Sequence, residues 1–254
     1  MTKKQREQWA PWALLLVVLL VWEAICRLLQ VSEFIFPAPS RIAEQLWAFR
    51  GVIAGHAWRT YWVTMVGFGL SIVFGTLLGL LVGSSRLAYS AMYPLMTGFN
   101  AIPKAAFVPI LVVWFGIGVG PAVLTAFLIS FFPITVNIAT GLATIEPELE
   151  DVLRVLGARR WDVLVKIGLP RSMPYFYASL KVAITLAFVG TTVSEMTAAN
   201  EGIGYLLISA GSSMQMGLAF AGLVVIGAMA MIMYELFAVL ERRTTGWAHR
   251  SSTA

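Results

Sequence analysis

Residues 146–174 read EPELEDVLRVLGARRWDVLVKIGLPRSMP, five acids and five bases set between long apolar runs. A polar stretch of this length inside an apolar chain is a loop with its own structure, held between membrane spans. Pro147 suits the first turn of a helix, where a missing N–H costs nothing. Leu149, Val152, Leu153 and Leu156 follow at spacings of three and four, which predicts one apolar stripe. Gly157 stands where such a helix would end in a left-handed residue. A second short helix is predicted over Trp161, Leu164, Val165 and Gly168, with Pro170 and Pro174 closing it before the next span.

The rest of the chain is that of a polytopic helical membrane protein. Of 254 residues, 59% are hydrophobic and 12% charged, and a soluble domain of that size would carry about twice the charge. The apolar runs are too long and too regular for a transmembrane barrel. The single cysteine, Cys26, excludes a disulfide framework and a thiolate metal cluster. The net charge of +5 follows the placement of bases at membrane surfaces, and no nucleic acid is needed to explain it.

In chain order, residues 1–13 form a basic N-terminus and 14–29 a first span, retained because no small-x-small cleavage site follows it. Glu23 and Arg27 lie four apart and face each other on one helix. Residues 36–57 read as an outer interfacial segment, opened by Phe36-Pro37-Ala38-Pro39, with Ser40 as N-cap of a short helix. A domain over 58–245 follows, and 246–254 is a tail. The second span, Trp62 to Gly83, carries Gly67, Ser71, Gly75, Gly79 and Gly83, each four after the last, a ribbon that lets another helix approach closely.

The third span runs from about Met92 to Phe115 and is broken in its centre by Pro103, Lys104 and Pro109. A lysine at that depth is costly and marks a functional position. Gly116, Gly118, Gly120 and Pro121 are read as the outer turn, and Val123 to Leu142 as the fourth span, with Pro133 inside it and Asn137 available for an interhelical hydrogen bond. Tyr175 to Ser194 forms the fifth span, with Lys181 near enough to its inner end to snorkel and Glu195 closing its outer end. Residues 199–214 are too short to cross and fit a re-entrant or surface helix. The sixth span is Gly217 to Leu240.

With six spans, twelve bases fall on one side: Lys3, Lys4, Arg6, Arg86, Arg154, Arg159, Arg160, Lys166, Arg171, Arg242, Arg243 and Arg250. Three, Arg41, Arg50 and Arg59, fall on the other. The excess puts both termini in the cytoplasm.

Gly157, nine residues, then Ile167-Gly168-Leu169-Pro170 resembles the cytoplasmic loop of ABC importer permeases, which reads Glu-Ala-Ala, three residues, Gly, nine residues, Ile-x-Leu-Pro. The Glu-Ala-Ala positions hold Asp151, Val152 and Leu153 here. Pro37-Ala38-Pro39-Ser40, Pro103-Lys104, Trp114-Phe115-Gly116-Ile117-Gly118, Phe132 to Asn137 and Gly202-Ile203-Gly204-Tyr205-Leu206 are similar to segments of the nitrate, sulfonate and taurine group, which also holds permeases for pyrimidine precursors and riboflavin. The resemblance covers roughly residues 35 to 245.

It implies an all-α type I importer permease fold of about six spans with a cytoplasmic coupling helix that docks on an ATPase subunit. It makes Glu150, Asp151, Arg154, Gly157, Ala158, Arg159, Trp161 and Pro170 the coupling residues. Pro103, Lys104, Pro109, Asn137 and Glu195 are assigned to the translocation path. Its partners would be ABC ATPase subunits holding ATP and Mg, a periplasmic or lipid-anchored binding protein, a second permease copy and membrane lipid, in the plasma membrane of a bacterium. The chain itself would hold no cofactor and no metal. No G-x-x-x-x-G-K-[ST] loop, H-E-x-x-H pair or G-x-S-x-G elbow occurs, so no catalytic residue is assigned. The rival reading is a secondary transporter, but one broken span without a repeated second half argues against it.

Cysteines placed at Thr2 and Ala254 should resist an impermeant thiol reagent added to intact cells. Efficient labelling of either overturns the predicted topology.

Overall fold

The computed structural model describes residues 3–143, 155–157, 159, 162 and 164–245. Among them are helices α1 (Lys3–Leu28), α2 (Pro39–Ala48), α3 (Arg50–Gly83) and α4 (Arg86–Ala101), a 3₁₀ turn (Lys104–Phe107), α5 (Val108–Phe115) and α6 (Val119–Ala143). Beyond the loop come a π turn (Leu164–Gly168), α7 (Leu169–Ala198), α8 (Ile203–Ser212) and α9 (Met216–Thr244). Five of these helices, α1, α3, α6, α7 and α9, are long and apolar enough to cross a membrane. α4 and the segment Lys104–Phe115 form an apolar pair bent by 71°, which makes a sixth crossing where the two act as one broken span and a re-entrant loop where they do not.

The core is built on α6, which lies between α3 and α7. Facing α3, the small-residue ribbon does what its spacing predicts. A Cβ on Gly75 would come within 3.0 Å of the Ile134 Cβ, on Gly79 within 2.8 Å of the Ile138 Cβ, and on Gly83 within 2.9 Å of the Leu142 Cβ. Ser71 completes the ribbon by hydrogen bonding to Ser130 at 2.7 Å. Facing α7, a Cβ on Gly190 would meet the Ala126 Cα at 3.0 Å. Ile134, Ile138, Ile184, Ala187 and Phe188 are buried together here. Several buried hydroxyls find partners in the apolar interior, Thr64 donating to Thr191 at 2.8 Å and Ser130 to the Ala126 carbonyl.

Several local expectations are corrected. α3 starts at Arg50 and runs unbroken for 34 residues, about 51 Å, because nothing between 50 and 61 breaks a helix; the separate interfacial helix is only α2. Ser40 is not the N-cap. Ala38 takes that position with Pro39 at the first helical residue, where proline's missing N–H is harmless. The cap comes instead from α1: Glu23 accepts from the Ser40 N–H at 3.0 Å and from its hydroxyl at 2.7 Å, while also pairing with Arg27 at 2.6 Å as the spacing predicts. Gly120 and Pro121 belong to the first turn of α6, so the turn before it is Gly116 to Gly118, both of these glycines with positive φ.

Among the described residues Asn137 makes no interhelical bond; its amide donates to the Pro133 carbonyl of its own helix at 2.8 Å. Lys181 does not snorkel. Its ammonium meets Glu241 of α9 at 2.5 Å, with both side chains mostly buried, since a paired charge costs less at that depth than a lone one. Pro170 and Pro174 do not end a helix: Pro170 lies in the first turn of α7 and Pro174 inside it. The 246–254 tail lies outside the described residues.

Gly79→Leu should overpack the α3–α6 contact at a cost of about 1–3 kcal/mol and lower the thermal midpoint of the detergent-solubilised protein. Gly69→Leu is the control, because a Cβ there meets nothing within 4 Å. Equal midpoints for the two would disprove the close contact.

Candidate translocation and coupling sites

The break in the third crossing follows from two prolines. Ile102 precedes Pro103 and is extended, with φ −70 and ψ 128, as a residue before proline prefers. α4 therefore stops at Ala101, a single 3₁₀ turn carries Lys104, and α5 restarts with Pro109 in its first turn. The freed C-terminus of α4 finds its partner in Lys104, which donates to the Asn100 carbonyl at 3.1 Å and to its side-chain oxygen at 2.8 Å. A cation at a helix C-terminus is favoured by the helix dipole. The ammonium also lies 5.9 Å from the Phe99 ring and 5.7 Å from the Phe132 ring of α6. No ion pair among the described residues involves Lys104. The site is a half-exposed ammonium between two aromatic faces, with no carboxylate of the described residues holding it.

Of the residues assigned to the path, Pro103, Lys104 and Pro109 are joined in this one element. Asn137 is on α6, five residues beyond Phe132, with its amide spent inside its own helix. Glu195 is elsewhere: it is 2% exposed, turned inside the protomer near the C-terminal end of α7. Its carboxylate accepts from the Thr60 hydroxyl at 2.8 and 3.0 Å and from the Gly204 N–H at 3.0 Å. Thr60 in turn accepts from the Ile203 N–H at 2.8 Å, and His56 Nδ1 from the Gly202 N–H at 3.0 Å.

Three side chains of α3 and α7 thus cap the N-terminus of α8, whose first amides have no partner within the helix. Gly202 and Gly204 are glycines for a reason of space: a Cβ on Gly202 would overlap the Glu195 carboxyl, and one on Gly204 the Thr192 carbonyl. Gly202 also has φ +104. Thr60 and His56 carried no local signal; the pairing spans 135 residues of sequence.

At the other end of the bundle, Gly157 has φ +86, the left-handed turn that its position predicts. Val155 and Leu156 before it are 87% and 76% exposed, apolar side chains turned away from the protomer. After it, the Arg159 N–H donates to Asp162 at 3.1 Å, and Lys166 pairs with Asp162 at 3.2 Å. The Arg159 amide first, then Lys166, hold the Asp162 carboxyl below the usual carboxylate range. A depressed carboxylate stabilises the turn above its unfolded pKa and loses that contribution as pH falls through the folded value. The π turn then leads without interruption into α7, and Pro170 is exposed in its first turn. Glu150, Asp151, Arg154, Ala158 and Trp161 lie outside the described residues, as does most of the first loop helix. The described residues hold no grouping of three or more His, Cys, Asp or Glu that could bind a metal.

The family described as "Binding-protein-dependent transport system inner membrane component" matches residues 71–246. The formylaminopyrimidine transport permease ThiX of Halalkalibacterium halodurans is 31% identical over 204 residues, 80% of this chain and 81% of that one. The riboflavin transport system permease RibX of Chloroflexus aurantiacus is 29% identical, over 96% and 92% of the two chains. The taurine transport system permease TauC of Escherichia coli is 27% identical, over 92% and 87%. Among solved structures, the inward-facing methionine ABC transporter MetNI contains a chain that superimposes with a TM-score of 0.68 at 17% identity, covering 78% of this chain and 98% of that one.

Gly157→Val should strain the loop turn by about 1–3 kcal/mol. Membrane insertion should remain intact while pull-down of the ATPase chain, which the loop resemblance implies, is lost. Normal association and uptake in this variant would show that the turn has no coupling role.

Proposed function

Because this chain belongs to the binding-protein-dependent transport system inner membrane components, and is the permease subunit of an ATP-driven ABC importer, we propose that it works as one of two copies around a shared path and moves a small organic anion. The observation that carries the anion is Lys104, an ammonium at the proline break with no carboxylate partner among the described residues. A sulfonate, carboxylate or similar oxyanion would supply the charge that Asn100 cannot. The rings of Phe99 and Phe132 beside it also suit a planar heterocycle. That second reading is favoured by the similarity to permeases named for a pyrimidine and for riboflavin.

In this reading the chain performs no covalent chemistry. ATP and Mg are bound by two separate ATPase subunits, which grip the loop around Gly157 through its exposed Val155 and Leu156. A binding protein delivers the solute to the opposite face. Closure of the ATPases on ATP favours one of two arrangements of the permease pair, and the loaded binding protein favours the same one. The coupling is the difference in affinity of each partner for the two arrangements. Both termini lie on the cytoplasmic side, as the basic residues direct.

Uptake into proteoliposomes should require ATP and the binding protein, and be insensitive to collapse of ion gradients. Lys104→Met should leave the assembled complex and its basal ATPase intact while lowering uptake per complex by about tenfold, the order of one lost charge-assisted contact. Normal uptake by Lys104→Met would remove the lysine from the path, and uptake driven by an ion gradient would remove the ATP-driven mechanism.

A further inference from the structure

A cavity of about 220 Å³ opens at the end of the bundle away from the 144–163 loop, between α3, the α5–α6 turn and the segment joining α7 to α8. Arg59, Ile117, Asn200 and Glu201 form its walls, and Glu195 contributes to its lining from the buried side. Its charge is unbalanced. Glu195 and Glu201 contribute two carboxylates, and Arg59 one guanidinium that is already turned to the exposed Glu201 at 3.3 Å.

The Glu195 carboxylate is also short of donors. A carboxylate offers about four acceptor positions. Thr60 has one hydroxyl proton, so its two short distances amount to one bond, and the Gly204 N–H supplies the second. A buried carboxylate in an apolar bundle calls for a cation, and no cationic side chain of the described residues is within ion-pair distance of this one. The cavity is smaller than the roughly 300 Å³ at which pockets for small solutes begin, so it fits one side chain better than a transported molecule.

Resting on the permease reading, we propose that this cavity receives the ammonium or guanidinium of one lysine or arginine of the extracytoplasmic binding protein as it docks. The incoming cation reaches the Glu195 carboxylate past Glu201, and the wall residue Ile117, 68% exposed, packs against its aliphatic stem. Docking through a charge seated in a small, partly dry cavity gains selectivity against partners lacking that cation.

The test uses the complete complex in nanodiscs, with affinity measured for the binding protein that drives its uptake. Glu201→Lys reverses the charge at the mouth, and Ile117→Trp fills the space. Each should weaken docking by about tenfold, with assembly and basal ATPase unchanged, and the wild-type affinity should fall as salt is raised. Replacing the lysines and arginines of the binding protein by alanine, one at a time, should identify one whose loss is non-additive with Glu201→Lys. Affinity unchanged within about twofold in both permease variants overturns the proposal, as does the absence of any coupled lysine or arginine. Failure of the wild-type complex to bind or respond to any binding protein is a separate result, and refutes the permease reading itself.

Discussion

Everything else in this chain is arranged around the close approach of α6 to α3 and α7. In lipid there is no hydrophobic gain from pushing two apolar helices together, so association depends on packing at short range. Glycines on α3 and at Gly190 of α7 let the helix axes come near enough for Ile134, Ile138 and Ala126 to sit directly against backbone. The same approach places Ser71 against Ser130 and Thr64 against Thr191. These four hydroxyls, each costly alone in the membrane, are then satisfied. Outer pieces are added with less contact: α1 is held near its C-terminal end by its Glu23, which accepts from Ser40 of α2, and by Trp22 stacked on Phe36 at 5.0 Å.

That frame explains why the irregular parts are tolerated. The proline break at Ile102 and Pro103 frees backbone groups, and Lys104 takes up the Asn100 carbonyl. The N-terminus of α8 is capped by Glu195, Thr60 and His56. At both places the polar group that closes the gap comes from the protein, because lipid can supply none. The family membership gives these irregularities a setting, the permease subunit of a transport system.

Much of the fold was legible in the sequence because membrane helices announce themselves locally. The five long spans, the broken third one, the glycine ribbon and the left-handed Gly157 all come from periodicity, proline chemistry or backbone sterics. What was not legible is long-range. Nothing near Glu195 reports that Thr60 will meet it, and nothing near Lys181 reports Glu241 sixty residues on. Ser40 looked like a cap because serine favours that position, but Pro39 took the first turn and Glu23 capped it from another helix. Pro170 and Pro174 looked like terminators, yet the π turn before them lets α7 start early. Glu195 was read at a span end, where nothing local reports its contacts with Thr60 and Gly204.

α7 has a mechanical consequence. It continues directly from the π turn beside the loop and runs 30 residues to Ala198, about 45 Å as one helix. Its far end carries Glu195, and through it α8. A rod of that length pivoting by about 5° near its inner end carries its outer end through about 4 Å. A small push on the loop thus arrives magnified on the opposite face, with no hinge needed between them. At the contact with α6 near Gly190, Ala126 leaves no slack to absorb the motion.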